Sequence, residues 1–248
     1  AGLALDCGPK ADESCCASPL IEGGELQRVD PEQDKSYPAT VSGFRLDRFE
    51  VTVGRFRAFV DGYPGNRPAA GDGAHPAIAK SGWDTSWPLP ETRAELVSEL
   101  KCTPAYQTWT DEPGAGENRP VNCVSWYVAF AFCAWDGGRL PTFAERNFAS
   151  AGGTEQRFYP WSVESTITPE NAAYGCGFTA PAYTCPSSYC NVGNATPCGV
   201  VACTALAGTC VYPTCFGCDA TKDIADVGSF AKGQGRYGHM DLGGNVAE

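Results

Sequence analysis

The chain has 248 residues, 43% of them hydrophobic, enough for one substantial core, and no charge-rich or low-complexity run divides it into two. Its 18 basic and 29 acidic side chains leave a formal charge of −11 with no Lys/Arg stripe, so binding to phosphate backbones or anionic lipid would run against the field, and nucleic acid is not an expected partner. No apolar stretch approaches the roughly 20 residues that cross a bilayer, and Ala1 does not open a charged-then-apolar leader, so any such leader is expected to have been removed.

In chain order, Phe44, Leu46 and Arg48 alternate as a strand ending at Phe49-Glu50-Val51. Thr52 can then cap a helix whose apolar face is Val53, Phe56 and Phe59-Val60. From about residue 61 to residue 118 the chain is broken by Gly and Pro and reads as irregular surface segments, with Trp83, Trp87 and Trp109 pinning them down. Ser125 predicts an N-cap for a helix over Trp126 to Trp135, apolar nearly all round and therefore expected to be enclosed, with Asp136-Gly137-Gly138 stopping it. Thr142-Phe143-Ala144-Glu145 is a capping box that starts a second helix, ended by Gly152-Gly153. Two helices beside aromatic-rich, cysteine-bearing loops predict an α+β domain with a small, mostly antiparallel sheet.

Fourteen cysteines with only two histidines, His75 and His239, fit disulfides in an oxidising compartment better than metal. They fall at Cys7, Cys15 and Cys16, at Cys102, Cys123 and Cys133, and as eight more between Cys176 and Cys218. That last stretch has no sustained period, so it reads as an insertion shaped by cross-links. Spacing does not fix their connectivity. Cys215-Phe216-Gly217-Cys218 could be half a zinc site or a redox pair, but no clear second CxxC or nearby histidine completes it.

Glu50-Val51-Thr52, Pro120-Val121 through Val124-Ser125-Trp126, Cys133 with Trp135, Arg139-Leu140-Pro141-Thr142 with Glu145, Asn171-Ala172, Val227-Gly228-Ser229-Phe230 and Gly244-Asn245-Val246-Ala247-Glu248 occur in one order. Together they resemble the formylglycine-generating enzyme, or sulfatase-modifying factor, family. The resemblance runs from residue 21 to residue 248, with residues 1–20 as a cysteine-containing N-terminal segment and the insertion at about 176–218. It implies a C-type-lectin-like variant fold, α+β, with little regular secondary structure. The cysteine load is similar to that of secreted bacterial members, which implies an extracellular or periplasmic location. Cys123 stands where the family often has His, and Arg146 and Ala247 where it usually has Trp.

The family's copper(I)-binding, catalytic cysteines lie downstream of the Gly-Asn-x-Trp-Glu segment, and nothing in this sequence matches them. The resemblance therefore implies no catalytic residue here, and copper only if a missing C-terminal segment supplies the cysteines. The family's calcium site maps onto Asp241, Gly244, Val246 and Glu248, two carboxylates and two backbone carbonyls, the oxygen set a hard cation takes. Asn171 and Ala172 match the start of a second calcium site whose later partners are not found. His75, in Gly73-Ala74-His75-Pro76, reads as a solvated or hydrogen-bonded loop residue, and His239 receives no role. Asn194-Ala195-Thr196 fits a glycosylation sequon that bacterial origin would leave unused. Three functions follow: a secreted, disulfide-stabilised binding or structural module with a protein partner or self-assembly; a copper-dependent oxidase acting on a sulfatase cysteine; or calcium-dependent carbohydrate binding, for which the usual Glu-Pro-Asn signature is absent and Glu112-Pro113-Gly114 is a faint echo.

Overall fold

The structure, a computed structural model, describes residues 5–27, 37–104, 106–164, 168, 170–173, 183–184, 197–198 and 224–246. Its strands form two-stranded antiparallel ladders: β1 (Leu5–Cys7) with β2 (Glu13–Ser14), β3 (Leu20–Ile21) with β6 (Phe44–Arg45), β4 (Gly24–Gln27) with β5 (Pro38–Val41), and β7 (Tyr183–Thr184) with β8 (Pro197–Cys198). The fold is α+β with short elements. In place of one small sheet, the described residues carry separate ladders, because the strands are too short to recruit a third partner. The strand predicted through Arg48 pairs only at Phe44–Arg45, and beyond it the Leu46 amide bonds to the Pro19 carbonyl at 3.3 Å.

The helices start where side chains satisfy their first amides. In α1 (Val53–Gly62), Thr52 Oγ1 accepts from the Arg55 amide, and Val53, Phe56, Phe59 and Val60 are buried along one face. In α3 (Trp126–Trp135), Ser125 accepts from the Val128 amide, and Gly137 beyond the helix end takes φ +83°. In α4 (Phe143–Ser150) both halves of the Thr142/Glu145 capping box are made. One helix was missed by the reading of residues 61–118 as irregular. Helix α2 (Arg93–Leu100) opens on a second capping box, Thr92 with Glu95, and buries Leu96 and Leu100. Eight residues with two fully buried anchors give a weak periodicity, but the Thr-x-x-Glu signature was there to be read.

The main core joins α1, α2 and α3 through Phe56, Phe59, Leu96, Leu100, Val128 and Phe132, with Trp83 and Trp109 buried among them. Each such side chain removed from water stabilises by roughly 1.5–3 kcal/mol before entropy is counted. Helix α3 is not enclosed along its whole length: Trp126 is 54% and Trp135 39% exposed. They stand at its two ends, where Trp126 meets Trp87 edge-on at 5.2 Å and Trp135 meets Phe59 at 5.6 Å, while the middle of the helix carries the burial. A second core under α4 gathers Ile21, Leu26, Val41, Phe44 and Phe148.

Two disulfides are present among the described residues, Cys7–Cys15 and Cys102–Cys123. Cys16 and Cys133 remain thiols, so the expected pairing is incomplete. The linkage of the eight later cysteines, the Cys215/Cys218 pair and the Asn194 sequon lie outside the described residues.

Candidate functional site

At the N-terminal hairpin of β1 and β2, Asp6, Cys7 and Cys15 bring a carboxylate and two sulfurs within 4.8 Å of one another. Cys7 and Cys15 are bonded across 5.2 Å between Cα atoms, and both are buried against Phe49, Val227 and Met240. The Cys15 sulfur lies 3.3 Å from Asp6 Oδ1. This grouping corrects two expectations. A cysteine pair with a neighbouring carboxylate lies within this chain, so neither the candidate catalytic cysteines nor a copper site has to come from a missing C-terminal segment. Bonded to each other, however, the two sulfurs have no thiolate charge to offer copper(I), and the residues as they stand do not fit that ion.

The two thiols both feel the charge of one arginine, whose side chain is 7% exposed. Arg55 Nη1 donates to Asp47 Oδ2 at 2.6 Å and towards the Cys15 carbonyl at 3.4 Å, Nη2 donates to Asp136, and the guanidinium lies 5.7 Å from the centre of the Phe132 ring. Burial pushes the Cys133 thiol up to about 12, and Asp47 reinforces this against Arg55. Burial also raises Cys16, with Arg55 opposing it. Both therefore stay protonated at neutral pH, unlike a nucleophilic or metal-ligating sulfur. Sequence reasoning missed Arg55, whose partners are 8 and 81 residues away.

Of the four residues expected to hold calcium, Asp241, Gly244 and Val246 are described and Glu248 lies outside the described residues. Asp241 is buried at φ +55°, and its Oδ2 accepts from the Gly228 amide at 2.5 Å. Gly244 takes φ +99°, and a Cβ there would sit 2.5 Å from the Ala173 carbonyl oxygen, so only glycine fits. Asn245 locks the turn: its amide donates to Ala173 O at 2.7 Å, and its side chain donates to Glu50 Oε2 at 2.7 Å and accepts from the Ala225 amide at 3.0 Å. Four motifs read separately in the sequence, around Glu50, Ala172, Val227 and Asn245, thus meet here. His239, buried beside them, points Nε2 at the Leu46 carbonyl at 3.1 Å. Burial lowers its pKa and keeps it neutral. With Nε2–H donating, Nδ1 is left in the interior without a partner among the described residues.

His75 is placed by α4. Its Nε2 lies 3.7 Å from Glu145 Oε1, while its Nδ1 accepts from the Ala77 amide at 3.1 Å, which occupies the nitrogen a base would use. Glu145 is clasped by Arg139, Nη1 at 2.8 Å and Nη2 at 2.5 Å, and accepts from the Thr142 amide at 2.8 Å. Burial alone would raise its pKa, yet the hydrogen bonds from Arg139 and Thr142 hold it down at about 2. The arrangement is a structural clasp with a fixed charge.

Residues 5–248 match the sulfatase-modifying factor enzyme 1-like domain. The chain is similar to the formylglycine-generating enzyme of Mus musculus, 31% identical over 58% of this chain and 41% of the relative. It is similar to that of Thermomonospora curvata at 35% identity, over 58% of this chain and 50% of the relative. A third relative, the inactive C-alpha-formylglycine-generating enzyme 2 of Mus musculus, is 33% identical over 49% of this chain and 41% of its own length. The chain thus spans half or less of the length of these relatives.

Proposed function

The chain belongs to the family of sulfatase-modifying factor enzyme 1-like domains, and from that membership we propose that these residues serve as a disulfide-stabilised binding or structural module and not as an oxidase. The observation that carries the reading is the state of the sulfurs. Cys7 and Cys15 are bonded to each other, and the thiols of Cys16 and Cys133 are held protonated. Copper(I) chemistry at sulfur needs thiolates, and the described residues supply none. The inactive mouse relative supports the view that this frame persists without the reaction.

A partner protein or a second copy would use apolar surface, and Trp126, Phe143, Phe158 and Val163 are each more than half exposed. Secretion into an oxidising compartment belongs to the same reading and is supported by the two disulfides. Among the described residues no helix is long and apolar enough to cross a membrane. The C-type-lectin-like arrangement is likewise part of the proposal, supported by the short ladders and long loops. So is calcium at Asp241, Gly244, Val246 and Glu248, a reading supported by the two carboxylates in the sequence of this motif and by the positive φ of Asp241, Gly244 and Asn245.

The test is direct. The 248-residue chain, supplied with copper(I) and oxygen, is incubated with a sulfatase-type cysteine peptide, and the peptide is assayed by mass and by aminooxy trapping of an aldehyde. An unchanged peptide is expected, and aldehyde formation at a catalytic rate overturns the reading.

A further inference from the structure

Where α4 meets the final motif, a cavity of about 400 Å³ opens between Phe143, Phe158 and Leu242 on its apolar side and Arg146, Arg157 and Asn147 on its polar side. The volume falls within the range of roughly 300–1,000 Å³ that small-molecule sites occupy. The two guanidiniums are fixed in place by backbone. Arg146 Nη2 donates to the Leu242 carbonyl at 2.9 Å and its Nη1 bonds Ser150, while Arg157 Nη1 donates to the Pro160 carbonyl at 2.8 Å. Among the described residues, Glu155 takes Arg157 Nε at 2.6 Å and is shared with Arg236 Nε at 3.3 Å. Arg157 directs two N–H bonds through Nε and Nη1, and its Nη2 has no partner among the described residues.

The aromatic rings are the other half of the pattern. Phe143 is 83% and Phe158 54% exposed, a large cost for two phenylalanines beside one opening. From a guanidinium held through Nε and Nη1 whose Nη2 has no partner among the described residues, in a cavity also lined by two exposed apolar rings, we propose that this cavity binds a small organic anion that joins an aromatic or aliphatic body to one carboxylate. The carboxylate meets Arg157 in a charge-assisted bond, and the body lies between the phenylalanines. The proposal does not depend on whether the domain oxidises anything, since none of these residues contributes to the sulfur clusters.

The probe is 3-phenylpropionate, titrated into the full chain by calorimetry at low salt, with 3-phenylpropanamide as its uncharged counterpart. Saturable binding of the acid is expected, with the amide about ten-fold weaker. Arg157→Gln and Phe143→Ala should each weaken the acid by about ten-fold, with unchanged circular dichroism. Phe143→Ala removes a solvent-facing ring and leaves the core intact, and the acid-to-amide ratio is read on the unaltered chain, so a misfolded Arg157→Gln does not obscure the result. Absence of saturation up to the solubility of the acid, equal binding of acid and amide, or wild-type affinity in folded Arg157→Gln each overturns the proposal.

Discussion

Replacing Glu145 removes more than one interaction, and the structure says how much each should cost. The side chain is 6% exposed and receives two bonds from Arg139 and two from Thr142. Loss of a helix cap costs about 1 kcal/mol, and removing one partner of a buried ion pair costs about 3–5 kcal/mol. Arg139 is 21% exposed and can be partly rehydrated, which brings the total for Glu145→Ala to about 3 kcal/mol. For a domain of this size that lowers the melting temperature by about 6–12 °C, read by calorimetry or circular dichroism. The sign of the pH dependence follows from a carboxyl held at about 2 in the folded chain against an ordinary value of 4.5. The unfolded chain binds the proton first, so the contribution is whole above 4.5 and disappears as pH falls towards 2. The stability gap between wild type and Glu145→Gln should therefore be constant from pH 7 to 5 and narrow below. A loss under about 1 kcal/mol, or a gap that stays constant down to pH 2.5, refutes the account of Glu145 as a buried, ionised clasp.

His239 supplies a second acid-sensitive point: its pKa is lowered by burial, so stability is present above the ordinary value of 6.5 and falls as pH drops below it. Urea midpoints measured from pH 7.5 to 5.5 should decline for wild type and lose most of that slope in His239→Gln. Cys133 should resist alkylation by iodoacetamide at pH 8 in the folded chain and react when urea is added, as followed by intact mass; rapid native labelling would contradict the buried, protonated thiol. Gly244→Ala should destabilise by more than 2 kcal/mol, since it meets both a left-handed backbone and the Ala173 carbonyl at 2.5 Å; a variant within about 0.5 kcal/mol of wild type in urea would show that the turn relaxes.

Local chemistry was legible, and contacts across the chain were not. Thr52, Ser125 and the Thr142/Glu145 box announce three helices because a cap needs only its own neighbours. Helix α2 carried an equal signal in Thr92/Glu95 and was overlooked beneath the surrounding Gly and Pro. The Arg55 cluster gives no such signal, since nothing in the residues around position 55 foretells Asp136. The same holds for His75, whose neighbour Glu145 is 70 positions away by subtraction of their numbers. The final motif lies between these cases: its glycine and asparagine predict a tight turn, but Glu50 as the partner of Asn245 emerges only from folding. The sulfur cluster was misjudged because Asp6 lies beside Cys7 in sequence while Cys15 reaches them only across the hairpin.

The Cys7–Cys15 bridge spans a separation of only 8 residues, and its hairpin is also tied down by Arg48 to Glu13 at 2.9 Å and by Asn118 to the Asp6 carbonyl at 3.3 Å. Such a short clip disciplines its own corner and little beyond it. Opening this bridge alone, in a Cys7→Ser/Cys15→Ser variant that keeps Cys102–Cys123, should accordingly loosen an edge of the molecule and leave the helical interior standing, which makes the N-terminal corner a replaceable fitting and the three-helix interior the chassis.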